Sequence, residues 1–150
     1  MKRIQKLLLI GVIVATSAFT FNTAANAQAQ KSLYERLGGY TAVSAVIDDL
    51  MDRLIADRQL GRFWAHRGDD GIAREKQLVK TFIAAKAGGP IHYAGRENKQ
   101  SHRGMRISQQ DWDIFIKHLN ATLDKFALPP TERNDVLAFI DSTRKDIVEK

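Results

Sequence analysis

The chain has 150 residues, of which 44% are hydrophobic and 27% charged, with a formal net charge of +6. That balance suits one globular domain and excludes a disordered or fibrous chain. The absence of cysteine excludes disulfides and thiolate metal sites.

The first stretch reads as a targeting sequence. Lys2, Arg3 and Lys6 form a basic start, an uncharged apolar run follows over residues 7–18, and Ala25-Asn26-Ala27 supplies small residues where a signal peptidase cuts. The run is short for a membrane span of roughly 20 residues, although an uncleaved anchor is the competing reading. The expectation is therefore a signal peptide over 1–27, a domain over 28–150, and a periplasmic or secreted product with no stable membrane insertion after cleavage. Those three basic residues supply half of the net charge, so the pI of 9.7 is no argument for nucleic acid as a partner.

Ser32 stands three residues before Glu35 and predicts a capped short helix that Gly38-Gly39 stops. From Tyr40, the apolar residues Val43, Val46, Ile47, Leu50, Met51, Leu54 and Ile55 recur at helical spacing. Residues 59–71 read as a connector carrying an aromatic pair, Phe63-Trp64. Residues 72–87 form a third helical pattern, with Ile72, Leu78, Val79, Phe82 and Ile83 inward and Glu75 intruding on the apolar stripe. Gly88-Gly89-Pro90 breaks the chain, and residues 97–103 predict a short helix holding His102. Ser108 caps a fourth pattern with Trp112, Phe115, Ile116, Leu119, Leu123 and Phe126. After Pro129-Pro130 a last helix turns Val136, Leu137, Ile140, Thr143 and Ile147 inward. Nothing alternates with the period of a strand, so the fold class is all-α.

No phosphate-binding glycine loop, His-Glu-x-x-His pair or nucleophile elbow is present. Four histidines remain: His66, His92, His102 and His118. The first two lie in connectors and His118 flanks an apolar stripe, positions that ordinary surface histidines occupy. His102 differs in sitting on a short helix pinned between helix breakers. Spacing alone leaves its role open, because one histidine specifies no metal geometry. The order of the parts is more informative: an apolar helix, a break, a short histidine-bearing helix and two aromatic-rich helices would enclose a flat apolar cofactor.

Over residues 32–147 the sequence resembles the truncated haemoglobins, most closely their first group. The motifs that carry this are Leu33-Tyr34-Glu35-Arg36-Leu37-Gly38-Gly39, Phe63-Trp64, Phe82 with Gly88-Gly89-Pro90, Tyr93-Ala94-Gly95-Arg96, Ser101-His102 and Gly104-Met105-Arg106-Ile107-Ser108. The resemblance implies a two-over-two helical sandwich around haem b, with His102 as the iron ligand and Phe63, Trp64 and Phe82 packing on the ring. Without cysteine, a c-type attachment is excluded. The implied ligands are dioxygen, nitric oxide or carbon monoxide. Arg74, Lys76, Arg96 and Lys99 are candidates for pairing with the propionates.

The distal positions depart from the family's pattern. Met51 stands where a tyrosine is common, and Glu75, Leu78 and Val79 stand where the third helix often presents glutamine, histidine or leucine. Met51, Leu78 and Val79 donate no hydrogen bond to a bound ligand, and an ionised Glu75 only accepts one. Met51 is either packing or a sixth iron ligand that favours electron transfer. Glu75, if burial keeps it protonated, is a donor or an acid in peroxide chemistry. The alternative to a ligand-binding protein is therefore a haem-dependent redox enzyme, a nitric oxide dioxygenase or a peroxidase-like protein served by an external electron donor. A helical interaction module that has lost haem is a third class.

Overall fold

Residues 31–150 are described by the computed structural model, and the segment 1–27 read above as a signal peptide lies outside them. Within that range the chain forms six α-helices. Helix α1 (Leu33–Arg36) opens with the expected capping box: the Glu35 amide donates to Ser32 Oγ at 3.2 Å, and the Ser32 amide donates back to the Glu35 carboxylate at 2.8 Å. Helix α2 (Gly39–Ala56) begins one residue earlier than the pattern suggested, because Gly38 and Gly39 both adopt positive φ and turn the chain directly into it. It buries Val43, Ile47, Leu50, Met51 and Leu54.

Helix α3 (Asp69–Lys86) also starts before its apolar stripe does. Asp69 and Asp70 occupy its first turn, where carboxylates complement the positive end of the helix dipole. Helix α4 is the short one, Asn98–His102, with Glu97 and Arg103 as its caps. Helix α5 (Gln109–Lys125) has the second capping box, Ser108 with Asp111. Helix α6 (Pro130–Ile147) starts on the proline, whose missing amide proton costs nothing in a first turn.

The long helices make two layers. Helix α2 packs along α3, and their polar faces are joined by Lys76–Asp52 at 2.5 Å, Lys80–Asp48 at 2.7 Å and Gln77 to the Tyr40 hydroxyl at 2.6 Å. Helix α6 is tied to α5 by Arg133, which reaches Asn120 and Asp124 at 2.7 Å each, and by Arg144 to Gln109. The layers meet where Leu119 and Leu123 of α5, 2% and 0% exposed, enter the cluster of buried residues from α2. The same contact has a polar core: Asp49 on α2 accepts from Arg53, Lys125 and the fully buried Thr122 hydroxyl. Burial alone would raise the Asp49 carboxyl, but these donors outweigh it and hold the group well below the usual carboxylate range. The arrangement is the all-α two-over-two sandwich expected.

Leu137 turns inward as expected and packs against the buried core, on the side of α6 that meets Trp112, Ile116 and Asn120 of α5. Val136, Phe139, Ile140 and Thr143 make the inward stripe. Two breaks set the path of the segment 88–108. At Gly89 a Cβ atom would lie 2.7 Å from both the Tyr34 ring and the Ala84 carbonyl, so only glycine lets the end of α3 dock on α1. There the Tyr34 amide donates to the Ala87 carbonyl at 2.9 Å. Residues 104–109 are then held by residues 149 and 150 beyond α6. The Gly104 and Arg106 amides keep the Glu149 carboxyl below its usual range. Among the described residues no helix is long and apolar enough to cross a membrane.

Candidate functional site

Between the layers lies a cavity of about 1080 Å³, just above the roughly 300–1,000 Å³ that cofactor and small-molecule sites usually occupy. All eight residues singled out in the sequence line it: Met51, Phe63, Trp64, Glu75, Leu78, Val79, Phe82 and His102. It is a mainly apolar space, and it accounts for two features of the packing. Helix α6 has no buried residue although its stripe is apolar, and Leu78 and Phe126 are exposed large hydrophobics. All these side chains border the cavity, so they expose apolar surface inside the protein.

The His102 ring is oriented by a bond within its own helix. Its Nδ1 lies 2.8 Å from the Asn98 carbonyl, which can only accept, so the proton sits on Nδ1 and the Nε2 lone pair is left free. Among the described residues no three His, Asp or Glu side chains converge as a metal cage. A metal at His102 therefore needs further ligands that a cofactor brings, and haem, with four ring nitrogens and a flat apolar body, fits both the single imidazole and the slot. His66 and His92 are exposed and do not border the cavity. His118 is occupied elsewhere, with Nε2 2.9 Å from the Asp57 carboxylate.

The aromatic wall is held by a buried carboxylate. Phe63 ends a short 3-10 turn (Leu60–Phe63), and Trp64 follows it with ring centroids 6.3 Å apart and planes at 86°. Arg62 in that turn donates to both oxygens of Asp111 at 2.8 Å, and Gln59 donates to the same carboxylate at 2.7 Å. Asp111 is 2% exposed and is also the capping-box partner of Ser108 at the start of α5. Burial alone would raise its carboxyl, yet Gln59, the Ser108 amide and Arg62 hold it well below the ordinary range. Asp57 anchors the other end of the turn: its carboxyl is lowered to about 2 by His118 first, then by the Leu60 and Gln59 amides.

On the opposite side Tyr93 packs edge-on against Phe82, centroids 5.1 Å apart, and its hydroxyl donates to the Arg96 carbonyl at 2.7 Å. A Cβ atom at Gly95 would come within 2.2 Å of that hydroxyl, which explains the glycine in Tyr-Ala-Gly-Arg. Tyr93 borders the cavity and was not among the expected site residues. Its place in the motif beside Gly95 was the available signal.

The charged rim is also rearranged. Arg74 and Arg96 border the cavity as expected, whereas Lys99 does not and Lys76 is engaged with Asp52. Arg67, unremarked in the sequence, borders the cavity too and lies 3.0 Å from Glu75. The Glu75 intrusion on the stripe is thus met by a guanidinium, close in distance but off the hydrogen-bond direction. Met51 is 4% exposed and packs with the α2 core while bordering the cavity.

The family model described as bacterial-like globin matches residues 32–149. A group 1 truncated hemoglobin of Tetrahymena pyriformis is 28% identical over 120 residues, covering 80% of this chain and 97% of that protein. The group 1 truncated hemoglobin GlbN of Mycolicibacterium paratuberculosis is 31% identical over 109 residues, 73% of this chain and 78% of its own. The crystal structure of the Tetrahymena pyriformis protein in its Fe(III) form superimposes with a TM-score of 0.72, covering 80% of this chain and all of that one. With the sandwich, the cavity and the matched span in agreement, the chain belongs to the bacterial-like globin family.

Proposed function

We propose that this globin holds haem b through His102 Nε2 and takes dioxygen as its small ligand on the Met51–Glu75 side. That haem is the cofactor and that a small ligand binds at its iron follow from membership of the family. The observation that supports His102 is its Nδ1 contact to the Asn98 carbonyl on a helix bordering the cavity. When bound, haem supplies an iron centre with an open position for a diatomic molecule. The chain's own part is to present the imidazole in one tautomer, to exclude bulk water with Phe63, Trp64 and Phe82, and to offer Arg74 and Arg96 to the propionates.

The distal residues bear on which ligand is retained. Met51, Leu78 and Val79 give an apolar face without donors, and Glu75 is drawn toward Arg67. Met51, Leu78 and Val79 themselves offer bound dioxygen no hydrogen bond, which favours fast release and suits delivery or turnover better than storage. Carbon monoxide and nitric oxide fit the same space. The reading also includes export with cleavage after Ala27, which rests on the sequence of residues 1–27.

The test is spectroscopic. His102→Gly should lose the five-coordinate ferrous signature of an imidazole-bound haem, and added imidazole should restore it. A spectrum unchanged in His102→Gly would overturn the assignment. Steady-state assays for dioxygen-dependent nitric oxide oxidation and for peroxide reduction, with a supplied electron donor, separate a carrier from the redox-enzyme alternative.

A further inference from the structure

Helix α4 has five residues, too few to hold a side chain in place by its own hydrogen bonds. Its first end is fixed locally, by Ser101 Oγ donating to the Arg96 carbonyl at 3.2 Å. Its second end runs into a turn with unusual backbone. Gly104 has φ +83° and Arg106 has φ +56°, a left-handed conformation that an arginine rarely adopts without an external hold.

That hold comes from far along the chain. The Gly104 amide donates to Glu149 Oε1 at 2.6 Å, and the Arg106 amide donates to Glu149 Oε2 at 2.6 Å. Amides turned to one side by left-handed residues form an anion-binding concavity, and here a carboxylate of the same chain fills it. Backbone pairing extends the grip: the Glu149 amide donates to the Ile107 carbonyl at 2.9 Å, and the Gln109 amide donates to the Lys150 carbonyl at 3.2 Å. Met105 and Ile107, inside the gripped segment, border the cavity.

We propose that Glu149 is a positioning residue for His102, fixing the turn after α4 and with it the distance and tilt at which the imidazole meets the iron. The proposal rests on the reading of His102 as the iron ligand. Glu149 does not touch the cofactor and acts through the Gly104–Arg106 backbone.

The experiment uses the full holoprotein and three variants, Glu149→Ala, Glu149→Gln and Lys150→Ala. In the ferrous unliganded state, resonance Raman reads the iron–imidazole stretching band. In Glu149→Ala the band should broaden and shift. Transfer of haem to an apoglobin acceptor should accelerate roughly tenfold, the scale of outer-sphere effects on metal retention. Glu149→Gln keeps one acceptor and should fall between, which carries the test if Glu149→Ala fails to fold. Lys150→Ala changes the neighbouring side chain while leaving the Glu149 carboxylate and the backbone bonds of the strap in place, and should match the unaltered protein.

An unmoved band and unchanged haem loss in both Glu149 variants would overturn the proposal, as would an equal effect in Lys150→Ala. Amide exchange at Gly104 and Arg106, faster in Glu149→Ala without haem, supplies a readout independent of the cofactor. His102→Gly is run alongside. A band that persists there means another group ligates the iron, in which case the ligand reading fails and the positioning role falls with it. A band lost there but unmoved in the Glu149 variants overturns the positioning role alone.

Discussion

The two walls of the cavity are held by different kinds of contact. The α2–α3 wall is two 18-residue helices whose apolar side chains pack on one another and whose rims are pinned by lysine–aspartate pairs. The wall from Gly88 to Ser108 carries one five-residue helix and is held mostly by backbone amides, carbonyls and single side chains reaching in from elsewhere. A packed wall absorbs substitution because its energy is spread over many contacts. A hydrogen-bonded loop depends on a few directed bonds. His102 stands on the second kind of wall, and Met51, Glu75, Leu78 and Val79 stand on the first. On the proposed reading, the residues facing the bound ligand can therefore vary without unfolding the protein, while the segment holding His102 has little slack.

The comparison breaks most readily at the carboxylate that joins the aromatic connector to α5. Asp111→Ala should cost about 3 kcal/mol, because Gln59 and the Ser108 amide lose a charged acceptor worth about 1.5–3 kcal/mol per bond, read by urea unfolding without haem. Gly95→Ala comes next. It forces the Tyr93 ring away from Phe82 and should cost about 1–3 kcal/mol by overpacking, with haem affinity falling in titrations. The acid limb sharpens the role of the connector. The Asp57 carboxyl is lowered in the folded state to about 2 from 3.8, so its contribution is present above about pH 3.8 and is lost as pH falls toward 2. Melting temperature should drop over that interval, and His118→Ala should move the drop to higher pH because the first cause of the lowered value is gone. On the packed wall, Met51→Leu should cost less than about 1.5 kcal/mol and leave the ferric spectrum unaltered if methionine only packs. A changed spectrum would mark it as a sixth ligand. The smallest effect is Arg67→Ala. Its ion pair is half exposed and worth about 0–1 kcal/mol in stability, yet the dioxygen off-rate should change if Glu75 swings toward the ligand.

How much of this was readable in the sequence follows the same division. Helices α2 and α5 and most of α6 announced themselves because burial on one face imposes a period, and both serine caps were visible because a capping box is local. Leu137 was rightly read as inward, although period alone does not say that it serves the α5 seam while its neighbours line the cavity. The site residues came from ordered motifs rather than from periodicity, and all eight reach the cavity. What escaped was non-local. Arg62 with Asp111, Arg67 with Glu75, and Glu149 with Gly104 and Arg106 join residues whose spacing carries no pattern.

The grip of Glu149 on the turn after His102 spans 45 residues of chain, and that separation sets an order of events. Contacts closing long loops form late, since the chain must first give up the freedom of everything between. Helices α2 and α3 can associate as soon as residue 86 is available, whereas the turn after α4 is secured only after α5 and α6 have formed and residue 149 has arrived. A chain still short of residue 149 thus has a packed α2–α3 wall facing a turn after His102 that nothing yet holds, and the setting of that turn waits on the arrival of Glu149.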